Sequence, residues 1–372
     1  MKIAMIGHKR IPSREGGIEV VVEELATRMV QRGHQVDVYN RRGHHVSGKE
    51  NDSKKIKTYK GIRIITIPTF QNKQLNAVVY SILATIRALF GRYDVIHFHA
   101  SGPSAMIWLP RLFGIHTVAT LHGLDSTRSK WGGFATKYLR FGEKMAAKYA
   151  GELIVLSKNV QNYIFNTYGI KSQFIPNGVN KPEIREADII KTKYDLEKDE
   201  YILFLGRIVP EKGLHYLLEA FKQIDTSKKL VIAGGASHTD SYESEIKLMA
   251  AKDCRVLMTG FVQGRELEEL FSNAYVYVLP SDVEGMPISL LEAMSYSNCC
   301  LVSDICENIE VTESKALSFK KGQVEDLKQK LELLIKDKLL VHAYKSESQD
   351  YILSKYNWED IVDKTLKLYE KT

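Results

Sequence analysis

The chain is poor in cysteine and has no long apolar run. Only 4 of its 372 residues are cysteine, and they show neither the paired spacing of a zinc site nor the density of a disulfide framework. We therefore expect buried, reduced thiols in a cytoplasmic protein. No stretch reaches the roughly 18 apolar residues of a membrane-spanning helix, and the first residues show no secretory signal. The cysteines are Cys254, Cys299, Cys300 and Cys306.

Motifs for metal-bound phosphate and for dinucleotides are absent as well. The sequence contains no Asp-x-Asp, the pattern that a metal-bound diphosphate favours, and its first glycine-rich loop is not G-x-G-x-x-G. His97 and His99 have the spacing of a metal pair, yet no nearby carboxylate or thiol completes a ligand set. We expect neither a metal nor a cofactor.

Charge is divided unevenly along the chain. Residues 1–180 hold 26 Lys and Arg against 11 Asp and Glu, whereas residues 181–372 hold 26 against 34. The basic half predicts an anionic partner, such as a phosphate-bearing lipid or a membrane surface. A solvated basic surface without a partner is the alternative. Nucleic acid is not expected, because the basic residues form no recognised groove-reading module.

Apolar runs of strand length alternate with amphipathic stretches of helix length. This alternation predicts an α/β protein with two doubly wound parallel sheets in tandem. Turn residues at 176–178 and the polar stretch after them indicate a linker. The predicted parts are an N-terminal domain at 1–180, a C-terminal domain at 181–355 and a last helix at 356–372. The main predicted strands are Lys2–Ile6, Gln35–Tyr39, Ile62–Ile67, Asp94–His97, His116–Thr120, Leu153–Leu156, Gln173–Ile175, Tyr201–Leu205, Lys229–Ala233, Arg255–Met258, Val276–Leu279 and Cys300–Val302.

Loops that follow strands are the first places to look for a site, because ligands bind at the carboxyl ends of parallel strands. In the first such loop, the adjacent glycines Gly16 and Gly17 allow a close backbone approach. They also precede a predicted helix N-terminus, which favours an anion. An ordinary turn is the alternative interpretation.

A second loop joins the strand Tyr201–Leu205 to a helix that begins near Gly213. Arg207 and Lys212 lie in this loop. Two cations beside backbone donors suit a pyrophosphate, whose negative charge grows as it departs. The alternative is a pair of exposed surface cations.

A third loop carries two carboxylates. It leaves the strand Val276–Leu279, turns through Glu284-Gly-Met-Pro287 and enters a helix that holds Glu292. Pro287 suits a first helical turn. Glu284 and Glu292 can hold hydroxyls of one ligand at two points. Alternatively, Glu284 caps the helix and Glu292 is a solvated helix residue.

These segments resemble glycosyltransferase family 4. Glu284 to Glu292 is similar to the E-x7-E motif of its retaining enzymes, and Gly206-Arg207 to Lys212-Gly213 resembles its diphosphate-binding segment. Ile175-Pro-Asn-Gly-Val179 and Tyr356-Asn-Trp358 resemble its domain junction and closing helix. The likeness covers essentially the whole chain. It implies the GT-B fold, in which two Rossmann-like domains face each other across a cleft and the last helix packs back on the N-terminal domain.

The resemblance also implies roles for individual residues. His122, in Leu121-His-Gly, resembles the family's cleft-facing histidine beside the reacting sugar, and with Glu284 it is the implied catalytic pair. The alternative for His122 is a satisfied histidine at a strand end. Acceptor contacts are expected from His97, His99 and Asp125. The implied donor-binding residues are Gly16, Gly17, Arg207, Lys212, Glu284, Gly285, Met286, Pro287 and Glu292.

Residues 128–149 have helical spacing, with basic and aromatic positions. Lys137, Arg140, Lys144 and Lys148 fall on one face, and Phe134, Tyr138, Phe141, Met145 and Tyr149 on another. A basic face with aromatic neighbours suits a membrane interface. A core-facing aromatic stripe with a solvated basic back is the alternative. We expect peripheral contact of the basic N-terminal domain with the inner face of the plasma membrane.

The expected activity is retaining transfer of a hexose or deoxyhexose from a nucleotide diphosphate sugar. The expected acceptor is an oligosaccharide or a sugar linked to a lipid diphosphate, in cell-surface polysaccharide synthesis. Residues 6–24 resemble a bacterial subgroup that includes rhamnosyltransferases, which makes rhamnose a candidate sugar. A nucleotide-sugar epimerase or a phosphorylase of the same fold is one alternative, and a non-catalytic nucleotide-sugar-binding subunit is another.

Overall fold

The computed structural model describes residues 1–42, 56–69, 75–124, 133–235 and 240–370. The chain forms two compact units. The first comprises Met1–Gly178 and Trp358–Thr372, and the second is Val179–Asn357. The linker residues Pro176 to Gly178 thus end the first passage of the chain through unit one, and the last helix returns to it.

The first unit has a sheet with helices on its faces. Its strands are β1 (Lys2–Ile6), β2 (Gln35–Arg41), β3 (Thr58–Tyr59), β4 (Ile62–Ile67), β5 (Val95–His99), β6 (His116–Leu121), β7 (Glu152–Val155) and β8 (Gln173–Phe174). Its helices are α1 (Gly17–Gln31), α2 (Leu75–Leu89), α3 (Ser101–Ser104), α4 (Trp108–Leu112), α5 (Gly133–Tyr149), α6 (Lys158–Tyr168) and, at the end of the chain, α15 (Trp358–Tyr369).

The strand order of this sheet is β3-β4-β2-β1-β5-β6-β7-β8. β3 is antiparallel to β4, and the other described pairs are parallel. The chain progresses from β1 to β2 and β4 in one direction, and then from β5 in the other. The order therefore reverses between β1 and β5, and a ligand crevice is expected at their carboxyl ends.

The second unit repeats this architecture. Its strands are β9 (Tyr201–Leu205), β10 (Lys229–Ala233), β11 (Val256–Gly260), β12 (Val276–Leu279), β13 (Cys299–Ser303) and β14 (Leu317–Phe319). Its helices are α7 (Ile189–Tyr194), α8 (Leu214–Lys222), α9 (Asp240–Ala250), α10 (Arg265–Asn273), α11 (Ile288–Ser295), α12 (Cys306–Thr312), α13 (Val324–Lys336) and α14 (Lys338–Lys355). A 3-10 turn, Pro210–Lys212, precedes α8.

The second sheet is parallel, with the order β11-β10-β9-β12-β13-β14. Its order reverses between β9 and β12, which makes their carboxyl ends the second expected crevice. The central strands are apolar throughout because helices cover both faces of the sheet. In β9, Tyr201, Ile202, Leu203 and Phe204 are all fully buried.

The prediction of buried thiols holds for only half of the cysteines. Cys299 and Cys300 lie buried in β13, where the strand is apolar on both faces. Cys254 and Cys306, in contrast, are exposed free thiols. Cys254 precedes β11 and Cys306 starts α12, so each lies at an element end where the chain reaches the surface.

The last helix, α15, packs on α1 within the first unit. Arg28 donates to Glu359 at 2.9 Å, and Arg32 donates to the same carboxylate at 2.6 Å and is also paired with Asp363. These ion pairs are partly exposed and contribute little each. The buried apolar face of the helix, including Trp358, Ile361 and Val362, supplies most of the attachment.

At Phe134 and Phe141, helix α5 differs from the alternative interpretation of a core-facing aromatic stripe. Phe134 and Phe141 are 59% and 48% exposed, on the same side as the exposed Lys137 and Lys144. The buried residues of the helix are Gly142, Glu143, Ala146 and Ala147. Small side chains let α5 lie close to its neighbours, since a Cβ at Gly142 would stand 1.9 Å from the Ser101 carbonyl oxygen.

Within the described ranges, no helix combines the length and apolar character needed to cross a bilayer.

Gly213, between the 3-10 turn and α8, gives a stability prediction for the second unit. Its φ is +64°, and an added Cβ would lie 2.1 Å from the carbonyl oxygen of Pro280. Gly260 has a similar φ of +73° but open space around it. We expect Gly213→Ala to cost about 3 kcal/mol or more in urea unfolding followed by circular dichroism, against about 1 kcal/mol for the control Gly260→Ala. Equal costs would contradict the close backbone approach.

Candidate functional site

In the second unit, the two loops at the switch point are fastened to each other. The 3-10 turn after β9 places Lys212, and the loop after β12 contains Asp282 and Glu284. The Asp282 backbone N–H donates to the Glu211 carbonyl at 2.9 Å. Tyr216, in the first turn of α8, donates its hydroxyl to Asp282 Oδ2 at 3.3 Å. These bonds hold the cationic turn against the acidic loop.

Lys212 and Glu284 form a buried ion pair. The distance from Lys212 Nζ to Glu284 Oε1 is 2.5 Å, and the two side chains are 12% and 9% exposed. The Ser281 hydroxyl donates to the same carboxylate oxygen at 2.6 Å. A buried pair is stable only when its geometry is good and its remaining hydrogen-bonding groups are satisfied. Lys212 therefore offers a fixed, partly desolvated cation at the ligand edge of the sheet.

Helix α11 starts directly after this loop. Gly285, Met286 and Pro287 are buried, and Glu292 lies half-buried one turn into the helix. The prediction that Pro287 occupies the first helical turn is wrong by one position. Its ψ of 104° is extended, and its carbonyl accepts from Leu290 N at 3.1 Å, so Pro287 is the N-cap residue.

Arg207 follows β9 and is half-buried. The strand end beside it has an unusually close backbone contact. Gly234, after β10, has a φ of +141°, and a Cβ there would stand 1.9 Å from the Gly206 carbonyl oxygen. Gly206 N in turn donates to Ala233 O at 3.0 Å. Glycine at position 234 is therefore needed to bring these two strand ends together.

In the first unit, the switch point brings Gly7 against the end of β5. Gly7 has a φ of +131°, and a Cβ there would lie 2.0 Å from the His99 carbonyl oxygen. Further along this loop, Gly16 caps α1, which Gly17 begins. The carboxylate of Glu19, in the first turn of α1, lies so near that a Cβ on Gly16 would stand 2.6 Å from Glu19 Oε2. The acidic Glu19 already occupies this helix N-terminus.

The structure brings His97, His99 and His122 together at this edge. His99 Nδ1 and His122 Nε2 are 3.1 Å apart, and the rings of His97 and His99 have centroids 4.0 Å apart. His97 is fully buried, with Nδ1 at 2.6 Å from the Tyr369 hydroxyl and Nε2 at 2.7 Å from Thr120 Oγ1. This geometry does not support acceptor contact by His97, because protein groups occupy both of its ring nitrogens.

His8, which is not among the predicted site residues, lies at the same edge of the sheet. Its Nε2 lies 2.9 Å from Asn40 Oδ1, and the orientation of that amide is fixed because Asn40 Nδ2 donates to Ile11 O at 2.8 Å. His8 Nε2 must therefore carry the proton. Its other nitrogen, Nδ1, is buried and has no hydrogen-bond partner among the described residues. The signal that could have found His8 is its position directly after the first strand.

Burial keeps these histidines neutral. Desolvation lowers the pKa of His8 to about 4 and, with help from nearby His122, that of His97 to about 3. Desolvation also holds the pKa of His99 well below its ordinary value, and the adjacent histidines add to the effect. Neutral imidazoles donate and accept hydrogen bonds, so this edge suits hydroxyl groups better than phosphates.

One predicted site residue is not described by the structure, and two residues that contact the site were not predicted. Asp125 lies outside the described residues. Tyr369 was missed because its partner, His97, is 272 residues away along the chain. Ser281 was missed because no sequence motif indicates its contact with Glu284, three residues later. Among the described residues, no three His, Cys, Asp or Glu side chains come together in a group that would hold a metal ion.

Both halves of the sequence match known family models. Residues 15–181 match the model described as Glycosyltransferase Family 4, and residues 186–351 match Glycosyl transferases group 1. With its two parallel-sheet units, the chain is a glycosyltransferase of the GT-B fold class. It belongs to the family 4 glycosyltransferases.

Curated relatives and solved structures agree with this assignment. An uncharacterized glycosyltransferase of Methanocaldococcus jannaschii is 26% identical over 100% of this chain and 98% of its own length. An Escherichia coli UDP-Gal:α-D-GlcNAc-diphosphoundecaprenol α-1,3-galactosyltransferase is 26% identical, covering 83% and 84%. Sucrose-phosphate synthase from Thermosynechococcus elongatus superposes with a TM-score of 0.84 at 21% identity, covering 100% and 98%. HepE of Anabaena in complex with UDP-glucose gives 0.80 at 15%, covering 98% and 99%.

The buried histidines predict that the first unit loses stability in acid. Unfolding restores their ordinary pKa of about 6.5, so between that pH and the folded values the unfolded chain binds more protons. The stability is fully present above about pH 6.5 and falls as the pH drops. At pH 5 we expect a loss of about 2 kcal/mol each for His8 and His97. Urea unfolding followed by tryptophan fluorescence measures this loss, because Trp108 and Trp358 belong to the first unit and residues 179–357 of the second unit contain no tryptophan.

His8→Gln is the matched control for this titration, since its amide nitrogen can still donate to Asn40. The acid-induced loss should be about 2 kcal/mol smaller in this variant than in the wild type. An unchanged pH dependence would show that His8 is protonated in the folded protein near neutral pH.

Proposed function

We propose that the protein transfers a hexose or deoxyhexose from a nucleotide diphosphate sugar to a sugar linked to a lipid diphosphate, with retention of the anomeric configuration and without a metal. The bond from sugar C1 to the diphosphate oxygen breaks, and a bond from C1 to an acceptor oxygen forms. The nucleoside diphosphate departs with the bonding electron pair, and its oxygen takes up the proton that the acceptor hydroxyl gives up.

The observation that carries the proposal is the buried Lys212–Glu284 pair at the switch point of the second sheet. A departing diphosphate gains negative charge, and a cation already present at this edge stabilises it. Lys212 can turn from Glu284 to the diphosphate, which leaves the Glu284 carboxylate free to accept from sugar hydroxyls. Arg207, at the end of β9, supplies a second cation, and Glu292 on α11 is assigned to the ribose hydroxyls. Gly285, Met286 and Pro287 are assigned to the sugar through their backbone.

In the first unit, we assign His122 to the reacting sugar and His99 to its support. If His99 Nδ1–H donates to His122 Nε2, the remaining proton of His122 lies on Nδ1. The opposite arrangement would leave a buried N–H on His99 Nε2, which has no partner among the described residues and would cost more than a bare acceptor. His99 thus fixes which nitrogen of His122 donates. The roles of Gly16 and Gly17 beside the donor phosphates stay predictions.

The comparisons support the choice of substrates. The name of the Escherichia coli relative gives a UDP-sugar donor and a diphosphoundecaprenol-linked acceptor, and HepE is solved with UDP-glucose. The choice of rhamnose as the transferred sugar depends on the likeness of residues 6–24 to one subgroup. A rhamnose donor is therefore one of several donors to be tested. The basic first half fits an acceptor that carries a diphosphate.

A donor panel with a lipid-diphosphate-sugar acceptor tests the proposal, run with and without a chelator. We expect nucleoside diphosphate release that needs the acceptor and survives chelation, and proton NMR of the product should show the donor's anomeric configuration. Sugar interconversion without acceptor would indicate an epimerase instead. Phosphate-dependent cleavage would indicate a phosphorylase, and tight donor binding without turnover a binding subunit.

Lys212→Gln should raise the donor KM about 10- to 100-fold, because one charge-assisted hydrogen bond to the diphosphate is lost. Removing the ammonium also leaves Glu284 buried without its cation, so kcat should fall as well. Initial rates against donor concentration measure both effects. Lys222→Gln, at an exposed position of the same unit, is the control and should match the wild type. An unchanged donor KM in Lys212→Gln would place the diphosphate elsewhere.

We also propose that the first unit rests on an anionic membrane surface through a basic aromatic face. This face consists of Phe134, Lys137, Arg140, Phe141, Lys144 and Lys148, all exposed on α5. In the same unit, helix α4 packs beside α5, and α2 packs against α4. Near their ends, Phe90, Leu112 and Phe113 are exposed to 76%, 72% and 67%. Exposed rings between cations fit the headgroup region of an anionic bilayer.

Sedimentation with phosphatidylglycerol vesicles tests this membrane contact. The triple variant Lys137→Glu, Arg140→Glu, Lys144→Glu should bind at least about 10-fold more weakly, because each cation near an anionic surface contributes about 1 kcal/mol. A matched triple reversal at the exposed lysines Lys222, Lys321 and Lys338 of the second unit should have a much smaller effect. Equal losses in the two variants would show net charge, rather than this face, to be responsible.

A further inference from the structure

Arg41, the last residue of β2, has no carboxylate partner among the described residues. Within the same residues, its side chain makes one hydrogen bond, from Nη1 to Asn76 Oδ1 at 3.2 Å. Its Nε–H is buried and meets no acceptor in the part of the chain that the structure describes. The Tyr80 ring, with its centroid 4.7 Å from the guanidinium carbon, covers one face of the group. Arg41 is thus a desolvated cation with an unused donor.

Other arginines of the same unit are arranged differently. Arg28 and Arg32 pair with carboxylates of α15, and Arg63 lies 3.4 Å from Asp37. At Arg41, burial lowers the pKa of the guanidinium, and the charge of Glu19 opposes this only in part. Glu19 is itself engaged, because its Oε1 accepts from Lys9 N at 2.8 Å. A half-buried charge without a hydrogen-bonded counter-ion is costly, so its persistence here calls for an anion.

The position of Arg41 is where a ligand would reach it. It ends a strand next to β1 at the carboxyl edge of the sheet, and its backbone N–H donates to the Lys9 carbonyl at 2.6 Å. Asn76 lies in the first turn of α2. Tyr138 of α5 lies close enough to the guanidinium for each charge to affect the pKa of the other.

Tyr138 adds a second polar group. Its buried hydroxyl makes no hydrogen bond of good geometry within the described ranges. The Ser81 hydroxyl, which donates to the Ala77 carbonyl at 2.6 Å, lies near enough to accept from Tyr138 and to lower its pKa against the effect of burial. A guanidinium fork with an unused N–H, beside the Asn76 side chain at one strand end, suits an oxyanion.

We propose that Arg41 binds the diphosphate of the lipid-linked acceptor. This inference rests on the proposed function and adds to it the residue that recognises the anionic part of the acceptor. The side-chain cations assigned to the donor diphosphate, Lys212 and Arg207, belong to the second unit, which leaves Arg41 of the first unit available for the acceptor diphosphate. The planar fork of arginine can hold two phosphate oxygens at once, which an uncharged sugar cannot match.

Kinetics of Arg41 variants test the assignment. Arg41→Gln should raise the KM for a lipid-diphosphate-sugar acceptor about 10- to 100-fold and leave the donor KM unchanged. Arg41→Lys, which keeps the charge but loses the fork, should recover part of that loss. Arg42→Gln, the exposed neighbour, is the control and should behave like the wild type. A change in donor KM alone, or an acceptor KM unaffected by Arg41→Gln, would overturn the proposal.

Binding separates this proposal from the proposed function. With UDP at saturation, calorimetric titration of farnesyl diphosphate should show binding that Arg41→Gln weakens at least 10-fold and Arg42→Gln does not. Inorganic pyrophosphate should bind the same site more weakly. Equal affinity for the two probes would indicate a free anion and overturn the lipid-linked assignment, as would wild-type protein that binds neither. Binding that depends on Arg41 in a protein without transferase turnover would contradict the proposed function and leave the anion site standing.

Discussion

The buried ion pair between Lys212 and Glu284 is the interaction on which the second unit's site depends. It joins the turn after β9 to the loop after β12, the two strands between which the sheet changes direction. Ser281 satisfies the carboxylate further, so the pair is held rather than merely near. Taking either partner away would leave a charge at low exposure, which is strongly unfavourable. The pair therefore keeps a cation ready at the one edge where an anionic leaving group is expected.

The first unit presents a different chemistry at the equivalent edge. Buried neutral imidazoles, tied to Thr120 and to Tyr369 of the last helix, line the end of β5. Charge appears two strands further along, at Arg41 at the end of β2. Groups that suit a hydroxyl and a group that suits an anion are thus separated along one sheet edge. This arrangement fits an acceptor whose reacting hydroxyl and diphosphate are different parts of one molecule.

Sequence patterns predicted much of the fold because buried parallel strands are continuous apolar runs between turns. The bounds of β1, β4, β9, β10 and β12 agree with prediction. The short strands β3 and β14 were not predicted, since two or three residues at a sheet edge carry little pattern. The positions of Lys212 and Glu284 at a strand edge followed from topology, whereas their pairing did not. Contacts such as that of His97 with Tyr369 arise only when distant segments pack together.

The central claim is that a nucleotide diphosphate sugar binds at the switch point of the second sheet and engages Lys212. A crystal structure of the protein with a nucleoside diphosphate, either UDP or dTDP, tests it most directly. In that structure we expect a diphosphate oxygen within hydrogen-bond distance of Lys212 Nζ, with the ammonium turned away from Glu284. A diphosphate bound elsewhere, with the Lys212–Glu284 pair still closed, would contradict it.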